Sequence, residues 1–109
     1  MLIHAVYFWL KPGLAAGEVA RFVRGLRSLA AIGSVQRAYV GTPAATVERG
    51  VVDASFSYAL TVFFADVAAH DAYQVDPLHA RFLAECSTLW REVRVYDAVG
   101  DDHIERLGE

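Results

Sequence analysis

Residues 2–10, Leu-Ile-His-Ala-Val-Tyr-Phe-Trp-Leu, constrain the fold more tightly than any other segment. In a strand, alternation sends Leu2, His4, Val6, Phe8 and Leu10 to one side and Ile3, Ala5, Tyr7 and Trp9 to the other. Both sides are apolar, so a strand here has to be covered on both faces. The run ends at Lys11-Pro12-Gly13, carries a histidine and lacks a basic leading region. It therefore reads as a buried strand rather than a signal peptide. No stretch of the chain is apolar for long enough to span a bilayer, and no membrane partner is expected.

The following segments show which elements can supply that cover. Residues 15–31 carry a helical stripe of Val19, Phe22, Val23, Leu26, Leu29 and Ala30, with Gly33 as a stop signal. Residues 34–42 predict a second strand, more polar than the first, and 43–52 a loop turning at Glu48-Arg49-Gly50. Phe56, Tyr58, Leu60, Val62 and Phe64 alternate with Ser57, Ala59, Thr61 and Phe63 in a third strand over 56–64. Two helical segments, roughly 66–75 and 77–90, precede a last strand over 93–99 and a polar tail, 100–109. The order β-α-β-β-α-β predicts an α+β, ferredoxin-like sandwich with a four-stranded antiparallel sheet and helices on one face. The economical cover for the other face is a second copy, which makes the expected partner a homodimer packed through its sheet.

Size and charge narrow the function classes. A chain of 109 residues is one domain, and 55% hydrophobic and 12% aromatic content is too rich for disorder. A net charge of −3 with a pI near 5.7 and no basic stripe argues against nucleic acid. Arg21, Arg24 and Arg27 cluster with Glu18 on the polar side of a helix and read as a solvated face. Cys86, the single cysteine, has no partner for an internal disulfide, which fits a reducing cytoplasm. Its neighbours Phe82, Leu83, Leu89 and Trp90 mark it as a buried, inert thiol.

The chemically pointed segment is Tyr73-Gln74-Val75-Asp76-Pro77-Leu78-His79-Ala80-Arg81-Phe82. Asp76 is a helix N-cap followed by proline at the first helical position, which puts His79 in the first turn. The helix dipole there disfavours imidazolium, and a neutral imidazole can accept a proton. His79 is thus the candidate base and Tyr73 its candidate proton donor. His4, Trp9, Tyr39, Tyr58 and Trp90 are candidate walls of a mostly apolar ligand pocket, alongside Tyr7. Each also has a plain packing role open to it: His4 as a hydrogen-bonded core histidine, the aromatics as space-filling. His70, beside Asp71 in an Ala-rich helix, is expected to be exposed. His103 sits between Asp102 and Ile104 in the tail, at a spacing that matches no zinc motif. Neither a metal nor a cofactor is expected. No Gly-x-Gly-x-x-Gly loop or Gly-x-Ser-x-Gly elbow occurs.

The ordered set Leu2-Ile3-His4-Ala5-Val6-Tyr7-Phe8, Lys11-Pro12-Gly13, Gly25-Leu26-Arg27-Ser28-Leu29, Tyr39-Val40-Gly41, Glu48-Arg49-Gly50, Val62-Phe63-Phe64, Tyr73 to Phe82 and Val95-Tyr96-Asp97 resembles the stress-responsive A/B barrel (Dabb) family, of the dimeric α+β barrel superfamily. The resemblance implies a Dabb domain over 1–99 that closes a barrel as a dimer. One plant member is a cyclase that folds a linear poly-β-ketone by intramolecular aldol condensation. Likeness to it implies that His79 matches the acid/base histidine, Tyr73 the cooperating tyrosine and His4 the strand-one histidine near the pocket. The family's Tyr-x-x-His-Pro-x-His signature has Asp76 at its first histidine here, which keeps the cap and changes the local charge. The expected function is a dimer binding a small aromatic or polyketide-like ligand, with cofactor-free proton-transfer or cyclisation chemistry. Two alternatives stand beside it. One is a non-catalytic stress or accessory dimer; the other is a cofactor-independent activity like that of the related monooxygenases.

Overall fold

The computed structural model describes residues 1–101; the predicted tail beyond Asp101, with His103, Ile104 and Leu107, lies outside them. In chain order the elements are β1 (Leu2–Leu10), α1 (Ala16–Ser28), β2 (Arg37–Gly41), β3 (Tyr58–Phe64), α2 (Val67–Gln74), α3 (Pro77–Cys86) and β4 (Trp90–Val99). The strands form one antiparallel sheet in the order β2-β3-β1-β4, the predicted ferredoxin-like arrangement. Among the described residues no helix is long and apolar enough to cross a membrane.

The two faces of β1 part company as their alternation requires. Leu2, His4, Val6 and Phe8 are buried under the helices, with Leu60, Val62 and Phe64 of β3 beside them. The stripe of α1 supplies Phe22 and Leu26, and α3 supplies Phe82 and Cys86. Full burial of side chains of this size stabilises by about 1.5–3 kcal/mol each. Ile3, Ala5 and Tyr7 face the other way and are only half-buried. That open face also carries Tyr39 and Tyr96, 55% and 60% exposed.

Element ends follow identifiable local chemistry. The chain leaves β1 through Gly13, whose φ of 77° only glycine adopts readily. The Glu18 carboxylate accepts from the Ala15 N–H at the start of α1. Asp66 accepts from the Ala69 N–H and Asp76 from the Leu78 N–H, both at 2.8 Å, capping α2 and α3. Gly33 does not stop the first helix as predicted: α1 tightens into a 3-10 turn at Leu29–Ala31, closed by the Ile32 N–H on the Leu29 carbonyl. No left-handed glycine is needed there.

Boundaries also shift. β2 is shorter than the predicted 34–42, because Ser34 and Val35 belong to the turn that precedes it. β3 starts two residues after the predicted Phe56. β4 starts at Trp90 rather than Val93, since Leu10 pairs with Trp90 across a bulge that leaves Arg91 of β4 unpaired. The second helical segment accordingly ends at Cys86, followed by a 3-10 turn at Ser87–Leu89.

Candidate functional site

The Asp76 cap and Pro77 place His79 in the first turn of α3, facing back towards the end of α2. Tyr73, in the last turn of α2, is 1% exposed, and its ring meets His79 edge-on with centroids 4.9 Å apart. The Nδ1 of His79 is buried and has no hydrogen-bond partner among the described residues. Both side chains line a cavity of about 240 Å³ between sheet and helices. Its other walls include His4, Phe82, Trp90 and Val95, so the lining is apolar apart from a few polar tips.

Burial sets the protonation states. It is the main cause that holds the His79 imidazole below its usual 6.5, followed by the nearby His4 and His70, while the Asp76 carboxylate pulls the other way. The direction is the one expected from the helix terminus, but the principal cause is desolvation. Burial also pushes the Tyr73 phenol up to about 12. At neutral pH the pair is therefore a neutral imidazole beside a fully protonated phenol, a proton acceptor next to a proton donor.

His4 enters from β1. Its Nδ1 lies 2.5 Å from a carboxylate oxygen of Asp97, its direct partner across the β1–β4 pairing. Burial lowers the His4 pKa and the Asp97 contact partly offsets that. The His4 ring also stands edge-on to Tyr73, centroids 5.8 Å apart. His70 departs from expectation: its side chain is 15% exposed and its ring packs 5.0 Å from that of His4. The Ala-rich sequence around it reads as a surface, yet α2 sets this side chain down against β1. The sequence shows Asp97 as the end of Val95-Tyr96-Asp97 but not its meeting with His4, which the strand register makes.

The candidate pocket walls separate into different places. Trp90 joins His4, Tyr73 and His79, its ring stacked on Phe82 at 5.7 Å. Tyr58 lies on the helix side of the sheet but lines a separate cavity with Val23 and Leu26. Tyr39 borders that same cavity from β2, its exposed ring against Phe63. Trp9 is on the opposite face of the sheet, in a recess of about 370 Å³ with Tyr7, Phe56, Arg94 and Tyr96. Its indole N–H donates to the Ser55 hydroxyl at 3.0 Å and Arg94 stacks over its ring. Trp9, Tyr39 and Tyr58 thus do not line the His79 cavity. Cys86 is fully buried, and burial pushes its thiol pKa up, as an inert core cysteine requires.

Known proteins match this chain by family and by fold. A comparison with curated proteins finds no match. Among solved structures, a Dabb family protein with a ferredoxin-like fold from Mesorhizobium loti is 25% identical, with a TM-score of 0.72 over 90% of this chain and 94% of that one. A hydroxynitrile lyase from Passiflora edulis is 18% identical, with a TM-score of 0.75 over 95% and 96%. A dimeric ferredoxin-like protein of unknown function from Thermobifida fusca is also 18% identical, with a TM-score of 0.71 over 89% and 88%. The family model of the stress responsive A/B barrel domain matches residues 2–99, so this chain belongs to the Dabb family.

Proposed function

We propose that this Dabb protein binds a small aromatic or polyketide-like ligand in the His79 cavity and catalyses cofactor-free proton transfer on it, with His79 as base and Tyr73 as donor. One observation carries the reading: the His79 imidazole and the Tyr73 ring stand edge-on, centroids 4.9 Å apart, on the wall of one apolar cavity. A neutral imidazole then takes an acidic C–H proton from between two carbonyls while the phenol hydrogen-bonds to the developing enolate. Intramolecular attack of that enolate on a further carbonyl is the cyclisation that the family resemblance implies. At about 240 Å³ the cavity is below the usual range for ligand pockets of about 300–1,000 Å³, which favours a single ring or a short chain over a long poly-ketone. The Passiflora edulis lyase supports the general idea that this fold can carry lyase chemistry.

The working unit in this reading is a homodimer joined through the open sheet face. The half-buried Ile3, Ala5 and Tyr7, with the exposed Tyr39 and Tyr96, leave that face apolar and uncovered within one chain. The dimeric relative from Thermobifida fusca is consistent with such an arrangement.

The test is exchange of the central methylene protons of small β-diketones into D2O, followed by NMR. The protein should accelerate exchange of at least one aryl β-diketone, and His79→Ala should abolish the acceleration while remaining folded. Binding that persists with no acceleration by either protein identifies a non-catalytic binder and sinks the enzymatic reading.

A further inference from the structure

Beside the cavity, three side chains meet that the proposed proton transfer does not use: His4 from β1, His70 from α2 and Asp97 from β4. One potential ligand atom from each lies within 4.8 Å of the other two. We propose that His4, His70 and Asp97 form a binding site for a first-row divalent cation, with zinc the best match.

The donor set is the first reason. Two imidazoles and one carboxylate suit zinc and its neighbours and are poor ligands for magnesium or calcium, which prefer all-oxygen shells. The second is convergence. A hydrogen bond between His4 and Asp97 accounts for two of the groups, but it gives no reason for a third polar ring from another element to pack 5.0 Å from His4. The third is orientation of His70. Its Nδ1 is 3.1 Å from the Asp71 carboxylate, and among the described residues its Nε2 meets only the Gln74 amide, at 3.4 Å. A carboxylate holding one histidine nitrogen while the other binds metal is a recurring second layer of metal sites.

The spacing needs only small adjustments. Zinc bonds of about 2.0–2.2 Å hold ligand atoms roughly 3.3 Å apart in a tetrahedron. The widest separation therefore has to close, while the His4–Asp97 contact of 2.5 Å has to open. The Asp97 side chain is 41% exposed and free to turn. Three protein ligands leave a fourth position for water or another small ligand. His4 also lines the cavity, so the ion would sit at its wall.

The experiment uses the full chain, stripped with a chelator, and titrates Zn²⁺ by calorimetry and Co²⁺ by visible absorption. One ion per chain with saturable Co²⁺ ligand-field bands is expected. His70→Ala and Asp97→Asn, checked for unchanged fold by circular dichroism, should each weaken binding by at least the roughly 10–100-fold that loss of a group merely supporting a ligand costs. His103→Ala, which removes a tail histidine near Asp101 and Asp102, should leave affinity unchanged. No saturable uptake, or uptake lost in His103→Ala and kept in His70→Ala, overturns the site. The readout is metal uptake rather than turnover, so its failure is separate from failure of the acid–base reading.

Discussion

Gly25→Ala should destabilise this protein even though alanine is the better helix former. Gly25 lies where α1 crosses α3, and a Cβ built there would stand 2.7 Å from the Cys86 Sγ and 3.0 Å from the Phe82 Cδ1. Neither neighbour has room to retreat. Cys86 is 0% exposed, and Phe82 is fixed by its packing on Phe8, Phe22 and Trp90. Overpacking of this kind costs about 1–3 kcal/mol, against a helix-propensity gain of about 1 kcal/mol. A contact as close as 2.7 Å belongs in the upper half of that range, for a net loss of about 1–2 kcal/mol. In a domain of this size that lowers the melting temperature by roughly 4–16 °C. The assay is thermal unfolding at one fixed protein concentration, because association would itself move the midpoint. Cys86→Ala opens the space that the new methyl needs, so Gly25→Ala/Cys86→Ala should melt above Gly25→Ala, with a coupling energy of about 1 kcal/mol. A Gly25→Ala protein that melts higher than wild type, or two substitutions that simply add, refutes this account of the helix crossing.

Asp76→Ala removes the α3 cap and should cost about 1 kcal/mol in urea unfolding. It should also lower the His79 midpoint further in an NMR titration, since the Asp76 carboxylate raises it. His79 has a folded-state pKa below its unfolded 6.5, so the unfolded chain binds more protons in that interval. Its share of stability is complete above pH 6.5 and lost as pH falls through the lowered folded value; urea midpoints measured across that range should show a slope that His79→Gln reduces. Tyr73→Phe keeps the ring packed against Phe64 and His79 and removes only the hydroxyl, so its melting temperature should stay close to wild type while β-diketone exchange slows. Ser55→Ala breaks one of the bonds that tie the 42–57 segment to β1, leaving those of Ser57 to Phe8 and Leu10, and trypsin should then cut faster at Arg49.

Legibility in the sequence tracked how local each determinant is. The two apolar faces of β1, the Phe22–Leu26 stripe and the Asp76-Pro77 start of α3 are set by alternation, helical periodicity and capping, which a few consecutive residues express. The start of β4 is not legible locally, because Trp90-Arg91-Glu92 continues a helix as readily as it begins a strand, and pairing with Leu10 decides the matter. Alternation had already put Trp9 on the other side of β1 from His4. Among the described residues only one face of the sheet carries helices, so Trp9 and Trp90 do not share a pocket wall.

The sequence by itself determined the order of elements, the covered and uncovered faces of the sheet, and the placement of His79 in a first helical turn beside Tyr73. Those follow from interactions within a turn or along a strand. The tertiary structure alone decided that His4 meets Asp97, that His70 turns inward against it, and that Trp9 and Tyr58 lie outside the His79 cavity. Asp97 is 93 residues from His4 along the chain. Strand register and helix docking made those contacts, and both are settled by packing across the whole domain.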